Sequence, residues 1–100
     1  MLFTFFLYPE VSIAVNTTNG EKIFQLNCSA CHAGGVNAIV AEKTLKKDIL
    51  EKNGMDDNDA IIYQVTNGKN AMPAFGGRLN DKDIEDVAFF VLQQSENGWK

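Results

Sequence analysis

Two cysteines and the single histidine of the chain stand together in Cys28-Ser29-Ala30-Cys31-His32. Residues three apart on a helix share a face, so both thiols can reach the two vinyl groups of one porphyrin and close thioether bonds. A C-x-x-C-H run is the signature of that covalent haem attachment. His32 then falls under the iron, where its imidazole nitrogen is a good ligand. Competing uses of the residues are poorly served. A disulfide between Cys28 and Cys31 would close a tiny loop and constrain almost nothing. A structural zinc site takes about four Cys or His ligands, and this sequence offers three in all. A thioredoxin-like dithiol belongs in a βαβ unit, and no stretch of the chain alternates with a period of two.

The second axial ligand follows from a count. With one histidine, bis-histidine ligation within the chain is impossible, and the thioether candidates are Met1, Met55 and Met72. Met1 lies in an apolar N-terminal run. Met55 lies between Gly54 and an acidic stretch, where a haem face would be poorly shielded. Met72 remains, forty residues after His32 in Asn70-Ala71-Met72-Pro73-Ala74-Phe75, with Pro73 preventing a helix from running through the site. Most methionines fill cores; an upstream C-x-x-C-H and a following proline favour ligation here. His/Met ligation raises the potential and fills both faces of the iron. With no open position and no acid-base pair, the chain is expected to carry electrons and not to be an enzyme. A sensor in which an outside ligand displaces Met72 is the remaining reading of the same residues.

The elements that must hold these ligands read as helices. Gly20, Phe24, Asn27, Cys28 and Cys31 recur at helical spacing in a first helix opened by Asn19-Gly20. Residues 33–44 read as a loop with paired glycines. Thr44 is expected to cap a short helix from Leu45 to Lys52, ended by Asn53-Gly54. Asp56-Asp57-Asn58-Asp59 supplies capping and acidic residues to a third helix, Ala60 to Val65, stopped by Asn67-Gly68. Residues 69–79 form a second long loop. Asn80 caps the last helix, whose Ile84, Val87, Ala88, Val91 and Leu92 make one apolar stripe, with Gly98 and Trp99 at its end. The fold class is all-α, about four short helices with two loops of about a dozen residues. Loops that long in a small domain usually serve a function, here to wrap one large group.

Composition narrows the setting. One hundred residues, 45% of them hydrophobic, fit one domain. A net charge of −4 disfavours nucleic acid as a partner. The run Met1 to Tyr8 is too short to span a bilayer as a helix. Followed by Pro9 and by Ser12-Ile13-Ala14, small residues at −3 and −1 of a cleavage after Ala14, it reads as an export leader over residues 1–14, despite the missing basic start. Residues 15–100 are then the working domain.

The sequence resembles the cytochrome c6 (cytochrome c-553) family in Asn19-Gly20-Glu21-Lys22-Ile23-Phe24, in Cys28-Ser29-Ala30-Cys31-His32-Ala33-Gly34-Gly35, in Lys69-Asn70-Ala71-Met72-Pro73-Ala74-Phe75-Gly76-Gly77-Arg78-Leu79 and in Gly98-Trp99. The resemblance implies a class I cytochrome c fold around one haem c. It implies thioethers at Cys28 and Cys31, axial ligation by His32 and Met72, a Gln64 near the haem that helps set a high potential, and an Arg78 used in docking. It further implies close packing of Gly20 and Phe24 against Val87 and Phe90. The implied role is transfer of electrons from cytochrome f of the cytochrome b6f complex to photosystem I in the thylakoid lumen of a plastid or cyanobacterium. The chain would act as a monomer in peripheral contact with membrane complexes. One haem edge is expected near Asn37-Ala38-Ile39 and Ala71-Met72-Pro73, with Lys43, Lys46, Lys47 and Arg78 steering encounter. An electron-entry subunit of a dehydrogenase or oxidase is the alternative.

Overall fold

A computed structural model describes residues 15–100, so the expected leader over 1–14 lies outside the described residues. Five α-helices follow in order: α1 (Thr17–Asn27), α2 (Ser29–His32), α3 (Lys47–Lys52), α4 (Asn58–Asn67) and α5 (Asp81–Glu96), with a 3-10 turn over Ala33–Gly35. Among the described residues the only β-type pairing is two isolated bridges, Lys69 with Met72 and Gly76 with Leu79. None of these helices is long and apolar enough to cross a membrane. The all-helical expectation holds, with one helix more than about four.

The extra helix comes from a break at Cys28. The expected first helix starts earlier, at Thr17, because the Asn16 side chain accepts from the Asn19 amide at 3.0 Å and caps it. It then bends where Cys28 leaves ideal helical geometry (φ −117°, ψ −29°), and the Cys28 carbonyl takes both the Cys31 and the His32 amides. The short central helix also differs from expectation. Thr44 is not its cap: the Thr44 hydroxyl receives the Lys46 amide in a local turn at 3.3 Å, and the helix opens two residues later than Leu45, at Lys47. Asp57 caps α4 through the Ala60 amide and Asn80 caps α5 through the Asp83 amide, as their positions suggested.

The frame is the crossing of α1 and α5. On α5, Ile84, Val87, Ala88 and Val91 are buried and Leu92 is half-buried, so the apolar stripe faces the core that Ile23, Phe24, Ile61, Val65 and Phe75 share. Each fully buried Val or Ile is worth about 1.5–3 kcal/mol relative to exposure. Phe24 packs against Phe90 and Trp99 with ring centroids 5.4 Å away in each case, inside the range of favourable aromatic contact. The helices can meet this closely because Gly20 has no side chain. A Cβ on it would stand 2.3 Å from the Asp86 carbonyl oxygen and 2.9 Å from the Phe90 Cβ.

A polar clamp closes the same crossing. Asp86 is almost fully buried, and its carboxylate accepts from the Asn16 amide at 3.0 Å, from the Asn19 side chain at 2.8 Å and from Lys82. Asn19 reaches Asp83 as well, at 3.0 Å. Burial alone would push the Asp86 carboxyl up; the hydrogen bonds from Lys82, Asn16 and Asn19 and the Lys82 charge outweigh it and hold the group below the usual carboxylate range.

Two outcomes follow. Gly20→Ala forces the helices apart and should cost about 2–3 kcal/mol or more, read from guanidinium unfolding of the holoprotein. Because the folded-state pKa of Asp86 is lowered, its contribution is present above about pH 4 and is lost as the pH falls through the folded value. Asp86→Asn should therefore lower stability at pH 7 by about 2 kcal/mol and flatten the fall in stability as the pH drops below about 4, measured by denaturant titration at each pH.

Candidate functional site

The motif residues sit where α1 gives way to α2. Cys28 packs against the edge of the core, Cys31 and His32 are half-buried, and the two cysteines are not joined to each other in a disulfide. Burial would hold an unattached Cys28 thiol up at about 11, as thiol and not thiolate, until thioether formation consumes it. The ring of His32 is oriented by the main chain: its Nδ1 lies 2.9 Å from the Val36 carbonyl oxygen. A carbonyl can only accept, so Nδ1 carries a proton, and Nε2 is the nitrogen left to meet a metal in the neutral ring. That tautomer is the one a metal-ligating imidazole requires.

The second arm of the site is the loop after α4. Three of the last four carbonyls of α4, which a helix leaves unpaired at its end, are taken by the chain that follows: Gly68 donates to Gln64 at 2.7 Å, Phe75 to Val65 at 2.8 Å and Gly76 to Thr66 at 3.0 Å. Between these pins Lys69 and Met72 exchange backbone hydrogen bonds at 3.0 and 2.9 Å around Asn70, which adopts φ +53°. Gly68 permits the fold-back. Its φ is +72°, and a Cβ would meet the Ala74 nitrogen and the Met72 carbonyl oxygen, each at 2.7 Å.

Met72 is half-buried at the edge of the core, and the Gln64 side-chain amide donates to its Sδ at 3.4 Å. Gln64 and Met72 are thus brought together. Arg78, by contrast, has no carboxylate partner among the described residues; its guanidinium lies 4.8 Å from the centroid of the buried Phe75 ring, in cation–π range. Met55 packs against the core as a partly buried side chain.

Three features of the site have no signal in the motif itself. The Val36 carbonyl is a backbone group. The Phe75 amide bond to Val65 joins residues whose sequence says nothing of their pairing. Lys47, expected as a free steering charge, is paired with Glu96 at 2.9 Å. Lys43 and Lys46 are exposed, as are Ala38, Ile39, Ala71 and Pro73 in the two stretches expected at the haem edge.

The donor set fits a haem: two cysteine sulfurs three residues apart, an imidazole with Nδ1 occupied by a carbonyl, and a thioether held on a separate loop. Comparison with known proteins agrees. A family model described as subunit III of cbb3-type cytochrome c oxidase matches residues 15–91. Cytochrome c6 of Porphyra purpurea is 66% identical over 92 residues, which are 92% of this chain and 84% of the relative. That of Bumilleriopsis filiformis is 74% identical over 81 residues, 81% of this chain and 94% of the relative. The crystal structure of cytochrome c6 from the diatom Phaeodactylum tricornutum superposes with a TM-score of 0.82 at 55% identity, covering 84% of this chain and 99% of the diatom protein. The molecule therefore has the class I cytochrome c fold, with haem c bound covalently. The chain belongs to the cytochrome c6 family and is an electron carrier.

The Met72 loop gives a direct test. Gly68→Ala, strained in φ and colliding with the chain at 74, should cost about 2–3 kcal/mol. In thermal unfolding of the holoprotein a drop of several degrees is expected.

Proposed function

We propose that this protein accepts electrons from cytochrome f of the cytochrome b6f complex and delivers them to photosystem I in the thylakoid lumen of a plastid or cyanobacterium. Residues 1–14 serve as the export leader and residues 15–100 as the carrier, which acts as a monomer and touches its membrane complexes only peripherally. The observation that carries this reading is the pair of prepared donors, a histidine with Nδ1 occupied and a methionine sulfur held by Gln64.

Cys28 and Cys31 would hold the haem through thioethers, and His32 Nε2 and Met72 Sδ would ligate its iron. Haem c held in this way supplies a one-electron ferric/ferrous couple, with a potential raised by the thioether. With both protein ligands in place no position on the iron would be left for a substrate, which supports a carrier in preference to an enzyme. The Gln64 amide draws electron density from the Met72 sulfur and favours the ferrous state. The exposed small side chains of Ala38, Ala71 and Pro73, with Ile39, let a redox partner come close without a large desolvation cost. Arg78, resting on Phe75 and free of any carboxylate among the described residues, is available to an acidic or polar partner surface. Lys43 and Lys46 add to long-range steering, which weakens with salt. A carrier must also let go, and a small apolar contact ringed by charge suits quick release.

The description of the matching family model favours a second reading, an electron-entry subunit of an oxidase or dehydrogenase. The cytochrome c6 relatives, matched over most of their own length, weigh against it. Recovery of a stable stoichiometric complex from native extracts would establish the second reading in place of the first.

Absorption spectra of the oxidised and reduced holoprotein test the ligation. A covalent haem with the weak red sulfur-to-iron band is expected, and Met72→Ala should abolish the band and admit carbon monoxide to the reduced protein. A spectrum unchanged by Met72→Ala would overturn the assignment. Gln64→Val should lower the midpoint potential by about 40 mV, the one-electron equivalent of one hydrogen bond of about 1 kcal/mol, measured by redox titration. Arg78→Glu should slow flash-induced reduction of photosystem I at low salt, with the difference shrinking as salt is raised.

A further inference from the structure

The ring of His32 is aimed by a carbonyl, and that carbonyl is itself held from the far end of the chain. Val36, whose oxygen receives His32 Nδ1, follows Gly35 directly. Gly35 is buried with φ +82°, and its Cα faces the indole of Trp99 so closely that a Cβ would lie 2.5 Å from the indole nitrogen. The Gly35 carbonyl accepts the Leu45 amide at 2.8 Å, and the Leu45 carbonyl accepts the Trp99 indole N–H at 3.0 Å. The Gly35 peptide is therefore gripped on two sides by one side chain: by direct contact with the ring, and through Leu45 by its N–H.

Trp99 is itself fixed. Its backbone takes a left-handed conformation (φ +61°) that non-glycine residues seldom adopt, its amide donates to the Gln94 carbonyl at 2.8 Å, and its ring packs on Phe24 and Phe90. A tryptophan needed only to fill space between α1 and α5 would not require the indole N–H to reach a loop carbonyl 54 positions away, nor a glycine pressed against its face.

From this geometry we infer that Trp99 is a positioning residue for His32. It fixes the Gly35–Val36 segment, and with it the direction of the Val36 carbonyl and the plane of the imidazole. The inference rests on His32 being the axial ligand. The chain of contacts is Trp99 to Leu45 and Gly35, Gly35 to Val36, and Val36 to His32, and between the indole and the imidazole every link is a backbone group that a point substitution leaves in place. Trp99 is the one link with a side chain to change.

The test uses oxidised holoprotein and follows His32 by paramagnetic NMR. The readouts are the shifts of its ring and Cβ protons and the exchange rate of the Nδ1 proton. Two replacements remove the N–H while keeping an aromatic ring: Trp99→Phe and, since Trp99 is the single tryptophan, biosynthetic substitution by the isosteric benzothienyl-alanine. Asp86→Asn, which weakens the same α1–α5 crossing without touching Gly35, controls for lost stability. Both Trp99 replacements should move the His32 shifts and speed Nδ1 exchange by about tenfold, the scale set by losing one hydrogen bond. Asp86→Asn should leave the shifts in place. Unmoved His32 signals in the benzothienyl protein, or equal changes in the Asp86→Asn control, would overturn the positioning role. Absence of hyperfine-shifted His32 signals from the unmodified protein would instead overturn the ligation on which the role rests.

Discussion

Gly20 sets the distance between the two longest helices, and that distance decides what the rest of the chain can do. A helix interior normally disfavours glycine by about 1 kcal/mol relative to alanine; here the missing side chain lets the α1 backbone approach the Asp86 carbonyl of α5. The close crossing brings Phe24 onto Phe90 and Trp99 and puts Asn16 and Asn19 within reach of the Asp86 carboxylate. One crossing thus combines the aromatic core and the buried charge clamp. α1 then runs on to Asn27, with Cys28, the first residue of the attachment motif, at its C-cap.

The two long loops beyond that crossing are pinned largely by backbone hydrogen bonds. Residues 33–46 contain a single 3-10 turn, and residues 68–80 contain no helix. Their order comes from pairing with helix ends: the loop amides of Phe75 and Gly76 occupy carbonyls that α4 leaves free, and the Cys31 and Gly35 carbonyls receive Ala38 and Leu45. Few apolar side chains are needed for such an arrangement, which suits a domain whose interior must be shared with a porphyrin. Side chains enter where direction matters, as with Gln64 on the Met72 sulfur and Trp99 on Leu45.

What the sequence disclosed follows the same division. Local patterns were readable because their physics is local. The C-x-x-C-H run, the Asn80 cap and the stripe Ile84, Val87, Ala88, Val91 depend on residues within two helical turns. Asp57 was visible as one of several caps in its acidic run. Thr44 was misread because a threonine oxygen serves a cap and a tight turn equally well, and the choice between them lies with the backbone of Leu45, whose amide and carbonyl are both engaged elsewhere, by Gly35 and Trp99. The break at Cys28 escaped for a similar reason: Ser29, Ala30 and Cys31 carry no breaker, and the bend is seen only in the doubled load on one carbonyl. The pairing of Lys47 with Glu96 spans 49 positions and leaves no mark on the local pattern.

The two proposed axial ligands differ in how they are supported, and the difference has a consequence for tuning. His32 is aimed by a main-chain carbonyl, so its tautomer and orientation survive any single replacement at Val36. Met72 is met by a side-chain amide from Gln64, which one substitution can delete. A protein arranged in this way shields the imidazole from side-chain changes at its own hydrogen-bond partner and leaves the sulfur side open to them. If Met72 is the thioether ligand, the kind that raises a haem potential, the adjustable contact sits where a change of environment would alter the redox couple without disturbing the proposed attachment at Cys28 and Cys31. The pins that fix the Met72 loop, Phe75 on Val65 and Gly76 on Thr66, lie outside that contact. The potential and the loop's position are therefore separable properties, set by different residues of the same short segment.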